Sequence, residues 1–351
     1  MKYPLAYLLL SSLLPAGLAA ADEAATLSGH LIALSGRRSG ICSLPRCGDG
    51  TLAVGLAQSS KLLVHALSEK PAEVAAARKS ADAAGLLGLT VYVEQGSVAA
   101  NPLADGCADL LLIDDASDAE LDRIVQQDVR RVLSPYRGVA VVGRAKALGE
   151  GLQRAKLETW LKGLVVPDGK IVEDSSGLWA VATMPPLAGG DDWTHYAHGP
   201  DQNRLSKDDV LKWPCLIQWT AKPYFDGKFD IAVAAGGRLF RANATLAIDR
   251  TRTDGIIARS ASNGHRLWQR KTADDFGTFG SLIVATPEVV YVKDGNGVLC
   301  LDAETGAERN RLVLSGDPQS ECRWLMMEDG ILITVLGQRP PVKSLRDYAR
   351  Q

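Results

Sequence analysis

The chain contains 351 residues, of which 46% are hydrophobic and 23% are charged, and its formal net charge at pH 7 is −2. This composition is typical of a globular protein, and the length favours two domains. Because the chain has no excess of basic residues, the composition argues against nucleic acid as a partner.

Residues 1–21 have the pattern of a cleaved signal peptide. Lys2 precedes a short apolar run over residues 5–14, and the small residues Ala19–Ala21 come directly before Asp22. The alternative is a membrane-spanning helix, which needs about 20 apolar residues in succession, whereas polar residues, a proline and a glycine interrupt this run. We therefore predict an exported protein, periplasmic or extracellular, with no membrane span in the mature chain.

Six cysteines accompany this export signal. In an oxidising compartment they could form disulfides, and the alternative is a set of buried free thiols; the spacing leaves both open. The chain contains no C-x-x-C or C-x-x-C-H motif, which argues against a zinc ribbon and a c-type haem. The cysteines are Cys42, Cys47, Cys107, Cys215, Cys300 and Cys322.

Between residues 24 and 186, short apolar runs alternate with segments of helical periodicity. Such alternation is typical of a doubly wound α/β domain with a parallel sheet. Towards the end of this domain, two strand-like runs flank the turn Ser175-Ser176-Gly177 and predict an antiparallel hairpin. The predicted strands cover residues 41–44, 62–67, 90–93, 110–113, 139–142, 169–173 and 178–182, and the predicted helices cover 72–84 and 118–133.

The turn after the first predicted strand has the sequence Arg46-Cys47-Gly48-Asp49-Gly50. A strand, a glycine turn and a helix in this order allow backbone N–H groups to approach a ligand closely. Similar turns appear in the class I S-adenosylmethionine-dependent methyltransferases, which this domain resembles. Residues 101–110 before the fourth strand carry the resemblance too, and residues 131–138 look like the family's R-V-L-x-P-G-G turn.

The resemblance implies a Rossmann-type fold and a cofactor site for S-adenosylmethionine at the glycine turn. In the family, an acidic residue ending the second strand binds the ribose, and another often contacts adenine. Ser68 and Ser97 stand at those positions in this chain. The candidate cofactor-binding residues are therefore Cys47, Gly48, Asp49, Gly50, Ser68 and Ser97.

This chain departs from the family pattern in the glycine turn as well. The family turn begins with an acidic residue and a glycine, and the matching positions hold Leu44 and Arg46. An arginine cannot give the same close backbone approach, and its side chain would enter or cover the pocket. If two of the family's hydrogen bonds between charged acceptors and the cofactor are lost, each contributing about 1.5–3 kcal/mol, S-adenosylmethionine would bind roughly 100-fold or more weakly. We therefore expect that S-adenosylmethionine binding has been lost.

An active S-adenosylmethionine-dependent methyltransferase is the alternative. Asp114 and Asp115, just past the fourth strand, are either a catalytic pair or solvated loop carboxylates. The sequence assigns no catalytic residue.

Residues 187–214 form a linker that carries the motif W-T-H-Y-x-H. His195 and His198, beside an aspartate, could bind a metal if both rings converged. The alternative is structural, with Trp193 and Tyr196 packed against the following domain. We favour the structural role and predict no metal site.

An internal repeat appears between residues 215 and 351. Residues 256–268 parallel residues 297–309, and the turn glycines Gly264 and Gly306 lie 306 − 264 = 42 positions apart. A repeat of this length with several short strands predicts β-propeller blades, of which about three fit in this region. The second domain is therefore predicted to be all-β.

The turn Leu301–Arg309 resembles the repeat of pyrroloquinoline quinone (PQQ) proteins, in which a tryptophan follows the turn. Trp268 fills that position in one copy, and Asn310 stands there in the next. With the linker motif, the chain resembles a family of exported bacterial PQQ-like propeller proteins. No two cysteines are adjacent, unlike in PQQ-dependent dehydrogenases, so PQQ itself is not expected.

The sequence thus predicts a doubly wound methyltransferase-like domain followed by a partial PQQ-like β-propeller. We expect an exported interaction or scaffold protein that binds an unidentified protein or small molecule. Open propeller edges would allow self-association. The alternatives are an active methyltransferase and a fragment of a PQQ-linked oxidoreductase.

Overall fold

The structure, a computed structural model, describes residues 16–221, 231–246, 252–272, 282–317 and 319–338. Its first half contains one seven-stranded sheet with helices on both faces. The strands are β1 Ser39–Leu44, β2 Lys61–Ser68, β3 Val91–Gln95, β4 Leu110–Ile113, β5 Val139–Ala145, β6 Asp168–Glu173 and β7 Gly177–Thr183. The helices are α1 Ala16–Ser35, α2 Thr51–Ser59, α3 Pro71–Ala83, α4 Asp118–Leu121, α5 Gln126–Val132 and α6 Arg154–Gly163.

The strand order in this sheet is β3-β2-β1-β4-β5-β7-β6. The first five strands run parallel, and β7 pairs antiparallel with both β5 and β6. The predicted doubly wound sheet and its terminal hairpin are therefore confirmed. The order reverses between β1 and β4, and open α/β sheets bind ligands at the carboxyl edge of such a switch point.

Apolar side chains explain why helices cover both faces. Leu31 of α1, Leu56 of α2 and Val74 of α3 belong to one core, and Val129 of α5 and Leu157 of α6 belong to the other. A parallel sheet buried on both faces needs nearly continuous apolar strands. β4, with the sequence Leu-Leu-Leu-Ile, is buried at every position.

The prediction of one helix over residues 118–133 is wrong. The structure has two short helices there, α4 and α5, separated by residues 122–125. The indole Nε1 of Trp160 donates a hydrogen bond of 2.9 Å to the carbonyl oxygen of Ile124, which is itself buried. A tertiary contact thus uses the carbonyl that a continuous helix would need.

α1 begins inside the predicted signal peptide, of which residues 1–15 lie outside the described residues. Leu31 and Ile32, beyond the predicted cleavage position at Asp22, are buried in the core. Among the described residues, no helix is both long and apolar enough to cross a membrane. Cleavage and export stay predictions.

The second half consists of antiparallel strands. β8 Ile231–Ala235, β9 Arg238–Leu246, β10 Arg252–Ser260 and β11 Arg266–Arg270 form one four-stranded sheet. β12 Ile283–Ala285, β13 Val289–Asp294, β14 Gly297–Asp302 and β15 Glu308–Val313 form another, and β16 Ser320–Glu328 and β17 Ile331–Gln338 form a hairpin. None of these sheets is closed within the residues described, and parts of the predicted propeller region 215–351, among them residues 339–351, lie outside them. The propeller stays a prediction.

The sequence repeat corresponds to a repeated contact between tryptophans and turns. Trp219 Nε1 donates to the carbonyl oxygen of Ala261 at 2.8 Å, before the turn that joins β10 to β11. Trp268 Nε1 donates to Ala303 at 3.0 Å, before the turn that joins β14 to β15. The two acceptors are 303 − 261 = 42 residues apart. Each tryptophan thus docks on the turn of the following sheet.

All six cysteines are free thiols in the structure. Cys42, Cys47, Cys300 and Cys322 are buried, Cys107 is partly buried and Cys215 is exposed.

Candidate functional site

A cavity of about 820 Å³ opens at the carboxyl edge of the seven-stranded sheet. Its walls are the loop after β1, the ends of β4 and β5, the β6–β7 turn and one side of α1. The cavity therefore lies where the strand order reverses, which is the usual ligand-binding position in this class of sheet.

The loop after β1 is held tightly against its neighbours. The backbone N–H of Cys47 donates to the carbonyl oxygen of Leu67 at 2.8 Å. Gly48 and Gly50 have φ values of 53° and 85°, which favour glycine. A Cβ atom on Gly50 would lie 2.6 Å from the Cα of Ala77 in α3, so this position has no room for a side chain.

Arg46, just before this loop, spans the switch point. Its Nε and Nη2 donate to the two carboxylate oxygens of Asp115 at 2.6 and 2.8 Å, and Nη2 lies 2.5 Å from Glu120 Oε1. The hydrogen bond to Asp115 is the main reason that the pKa of Arg46 is raised. The side chain therefore ties the loop after β1 to the segment after β4.

Ser68, at the predicted ribose-binding position, forms hydrogen bonds with other groups of the protein. Its side chain is buried, and its hydroxyl donates to Glu73 Oε2 at 2.6 Å. The same hydroxyl oxygen accepts a hydrogen bond of 3.1 Å from the backbone N–H of Lys70.

Ser97, at the predicted adenine-binding position, is also hydrogen-bonded within the protein. Its hydroxyl donates to Glu69 Oε1 at 2.5 Å. Arg123, which follows α4, reaches the same carboxylate with Nη2 at 2.6 and 2.7 Å from its two oxygens. A second ion pair thus joins the segment after α4 to the end of β2.

The candidate cofactor residues divide into two groups in the structure. Cys47, Gly48 and Asp49 line the cavity, whereas Gly50, Ser68 and Ser97 do not. The resemblance places adenosine at the carboxyl ends of β2 and β3, and the ion pair between Arg123 and Glu69 crosses this part of the sheet edge. The cavity instead extends towards β5 and α1.

Asp114 and Asp115 both line the cavity, but their environments differ. Burial, together with the negative charge of Asp115, raises the pKa of Asp114 to about 7. Asp115 is held as an ion pair by Arg46. Asp114 is therefore poised to exchange a proton near neutral pH, as a general base or acid requires.

The raised pKa of Asp114 predicts a pH-dependent stability. The folded-state pKa of about 7 lies above the ordinary value of 3.8, so this group lowers stability as the pH rises through 7. We expect Asp114→Asn to increase the free energy of unfolding by about 1–3 kcal/mol at pH 8, and the gain to shrink towards pH 4. Urea denaturation at both pH values measures this.

Asp122→Asn is the matched control for this prediction, because the Asp122 side chain is 78% exposed. It should change stability little at either pH. A loss of stability in Asp114→Asn at pH 8 would contradict the prediction.

The sequence did not indicate several other residues of the cavity wall. Lys146 and Leu148 follow the carboxyl end of β5, Ser175 and Ser176 form the β6–β7 turn, and His30 lies on α1. The first two could have been suspected, because ligands of such sheets contact the carboxyl ends of several strands. No comparable sequence pattern indicates that His30 lines the cavity.

The two linker histidines contact different protein groups. His198 Nε2 lies 2.7 Å from Asp191 Oδ2. His195 Nε2 accepts a hydrogen bond of 3.0 Å from the backbone N–H of Met327 in β16, and its Nδ1 lies 2.7 Å from Thr194 Oγ1. In the part of the chain that the structure describes, no three potential metal ligands cluster. His195 thus joins the linker to β16, and the backbone of Trp193 pairs with Ala234 of β8, whereas Tyr196, which was expected to pack against the second half, is 37% exposed.

Solved structures with a similar fold include several S-adenosylmethionine-dependent methyltransferases. A putative one from Methanococcus maripaludis is 18% identical and covers 48% of this chain and 87% of its own, with a TM-score of 0.41. One from Aquifex aeolicus is 17% identical and covers 44% of this chain and 89% of its own, with a TM-score of 0.37. The [4+2]-cyclase SpnF is 16% identical and covers 45% of this chain and 82% of its own, with a TM-score of 0.37.

These likenesses concern the fold alone, since one fold hosts many unrelated activities. No protein-family model matches the sequence, and no curated protein matches it either. The strand order and the terminal hairpin give the first half of the chain a methyltransferase-type Rossmann fold, and antiparallel sheets follow it.

Proposed function

We propose that the first half is a small-molecule-binding domain that retains the methyltransferase fold but has lost methyl transfer. The chain would act as an exported binding or scaffold protein. The observation that carries this proposal is the position of Arg46, whose guanidinium crosses the switch point to Asp115 and Glu120.

Two further contacts support the loss of the cofactor site. Glu69, one residue beyond the predicted ribose position, is neutralised by Arg123, and Ser97 donates its hydroxyl proton to the same carboxylate. S-adenosylmethionine would have to break these contacts before its adenosine could bind. The cavity beside Cys47, Gly48 and Asp49 stays open to a different ligand.

The binding of S-adenosylhomocysteine tests this proposal. By calorimetry, the purified protein should show no saturable binding up to about 1 mM. Arg46→Ala should improve affinity, because it removes the side chain that spans the site. Arg154→Ala is the matched control, since Arg154 forms an exposed pair with Glu158 on α6. Micromolar binding by the unaltered protein would contradict the proposal.

An active methyltransferase is the second candidate, and Asp114 favours it. Its carboxylate, with a pKa raised to about 7 by burial and by Asp115, lies in the wall of the cavity beside the glycine loop. It could accept a proton from a methyl acceptor there. Under this candidate, Asp114→Asn would abolish methyl transfer while leaving the affinity for S-adenosylhomocysteine intact.

For the second half, we propose PQQ-like propeller blades that bind a partner rather than PQQ. The repeated docking of Trp219 and Trp268 supports a common blade design. β17 has the same position in the repeat as β13. β13 pairs with β14 along its length. Among the described residues, β16 is the only strand that pairs with β17. An unpaired edge favours strand addition by a second copy.

Self-association of this kind is testable by sedimentation velocity over a range of concentrations. The unaltered protein should form dimers or larger assemblies, and Val335→Lys, at a half-exposed position on β17, should prevent them. Leu89→Lys is the matched control, because Leu89 is an exposed apolar residue of the first half. A monomer at all concentrations would contradict the proposal.

A further inference from the structure

The wall of the cavity at the carboxyl edge of the seven-stranded sheet combines apolar side chains with acidic ones. The cavity volume of about 820 Å³ lies in the range of sites that hold small organic ligands. Leu148 is 46% exposed there, so a ligand would cover apolar surface that water now contacts. The wall therefore favours a ligand with an apolar body. Its apolar residues are Leu27, Leu52, Ala145, Ala147 and Leu148.

Three aspartates stand in the same wall, and their charges are compensated to different degrees. Asp115 accepts two hydrogen bonds from Arg46. Asp49 is exposed, and its Oδ1 accepts a hydrogen bond of 3.0 Å from the backbone N–H of Thr51. Asp114 directly follows β4, and among the described residues no ion pair or hydrogen bond from another side chain reaches its carboxylate.

The neighbours of Asp114 increase the cost of its negative charge. Burial raises the pKa of Asp114 most and Asp115 raises it further, whereas its own backbone and then Arg46 lower it. Arg46 compensates Asp114 only weakly, because its guanidinium is hydrogen-bonded to Asp115 and also lies 2.5 Å from Glu120 Oε1. The Asp114 carboxylate therefore lacks a close cation of its own in the described part of the wall.

The charged groups on the other described elements of the wall leave this carboxylate uncompensated. Lys146, which follows β5, is exposed, so water and salt screen the charge of its ammonium. His30 Nε2, on α1, lies 3.1 Å from Asp174 Oδ2 and faces that carboxylate instead. Asp114 is therefore the desolvated acid whose charge a cationic ligand would compensate.

We propose that this cavity binds a protonated amine with an apolar body, and that the ammonium group pairs with the Asp114 carboxylate. The inference rests on the proposed function, in which the cavity is open to a ligand other than S-adenosylmethionine. Hydrogen bonds between an ammonium and a carboxylate are stronger than those between neutral groups. The apolar body would cover Leu52 and Leu148 and remove their surface from water. A neutral ligand would leave the carboxylate without a cation, and an anion would be repelled by it.

Calorimetry with n-hexylamine at pH 8 tests the inference. The unaltered protein should bind it saturably, with a dissociation constant below about 1 mM. Hexan-1-ol should bind at least about tenfold more weakly, because it carries no charge to pair with Asp114. Ethylamine should also bind at least about tenfold more weakly, because its shorter chain buries less apolar surface. Absence of saturable hexylamine binding, or equally tight binding of either comparison compound, would overturn the inference.

A variant of Asp114 tests whether this residue holds the ammonium. Asp114→Asn should bind hexylamine at least about tenfold more weakly and should lose the preference for hexylamine over hexan-1-ol. Asp122→Asn is the matched control, because it removes the same charge from a side chain that is 78% exposed. An unchanged affinity in Asp114→Asn, or an equal loss in the control, would overturn the inference.

The affinity for hexylamine should also depend on pH. Hexylamine stays protonated between pH 6 and pH 8, whereas the pKa of Asp114 is about 7. The affinity should therefore rise about tenfold over this range, as the carboxylate loses its proton to the buffer. Asp114→Asn retains His30 and Lys146 but should lose this dependence. A dependence that persists in the variant would overturn the inference.

The amine and S-adenosylhomocysteine are titrated separately, so that this inference and the proposed function fail separately. If neither compound binds, the amine inference is overturned, and the proposed loss of the cofactor site stands. Micromolar binding of S-adenosylhomocysteine would contradict the proposed function whatever the result with hexylamine.

Discussion

Replacing Arg137 with alanine is expected to lower the free energy of unfolding by about 3–5 kcal/mol. Arg137 and Asp109 are both completely buried, and Arg137 Nε donates to Asp109 Oδ1 at 3.1 Å. The same guanidinium also contacts Glu304 in the β14–β15 turn of the second half. Removing it would leave the buried Asp109 carboxylate without its ion-pair partner, although it would keep hydrogen bonds from Ile41 N–H and Asn263 Nδ2, and an uncompensated buried charge costs several kcal/mol.

Denaturation in urea measures this loss. Arg154→Ala is the matched control, because the Arg154–Glu158 pair is exposed on α6 and should contribute less than about 1 kcal/mol. The double variant Arg137→Met, Asp109→Leu should recover part of the stability, since it removes both charges together. A loss below about 1 kcal/mol in Arg137→Ala would contradict the importance of this ion pair.

Trp268→Ala is expected to cost about 3–5 kcal/mol, because it removes a large buried side chain at the contact between the antiparallel sheets. Trp268 is 6% exposed, lies 5.9 Å from the Phe240 ring between centroids, and donates to Ala303. It also packs on Gly306, whose φ is 71° and on which a Cβ would lie 2.6 Å from the indole. A side chain at that glycine would therefore push the tryptophan away.

Thermal and urea unfolding of Trp268→Ala measure this effect. Trp213→Ala is the matched control, because Trp213 is 87% exposed and should change stability by less than about 0.5 kcal/mol. A loss in Trp268→Ala as small as that expected for Trp213→Ala would show that the repeated tryptophan contact does not stabilise the sheets.

The sequence predicted best those strands and turns whose formation depends on residues close together in the chain. β4 is a short continuous apolar run, and the β6–β7 hairpin has its turn at Ser175–Gly177, so local patterns were sufficient for both. The 42-residue repeat was visible because both turns keep their glycines, Gly264 and Gly306.

The parts that the sequence could not predict depend on distant contacts. The break between α4 and α5 requires Trp160, which is 36 residues from Ile124. The ion pair that we propose to close the adenosine side joins Arg123 to Glu69, which are 54 residues apart.

The same limit applies to Arg46. Its residue type alone indicated that it would cover the pocket, but not that Asp115, 69 residues away, would hold it. The ion pair between Arg137 and Glu304 joins residues 167 positions apart, and no pattern within either segment indicates it.

We propose that the protein's own ion pairs close the position at which S-adenosylmethionine would bind. The most direct test is the dissociation constant of S-adenosylhomocysteine for the double variant Arg46→Ala, Arg123→Ala, compared with that of the unaltered protein. If both ion pairs close the site, the double variant should bind at least about tenfold more tightly, a difference of about 1.4 kcal/mol. Micromolar binding by the unaltered protein, with weaker binding by the double variant, would show that these arginines help to hold the cofactor instead.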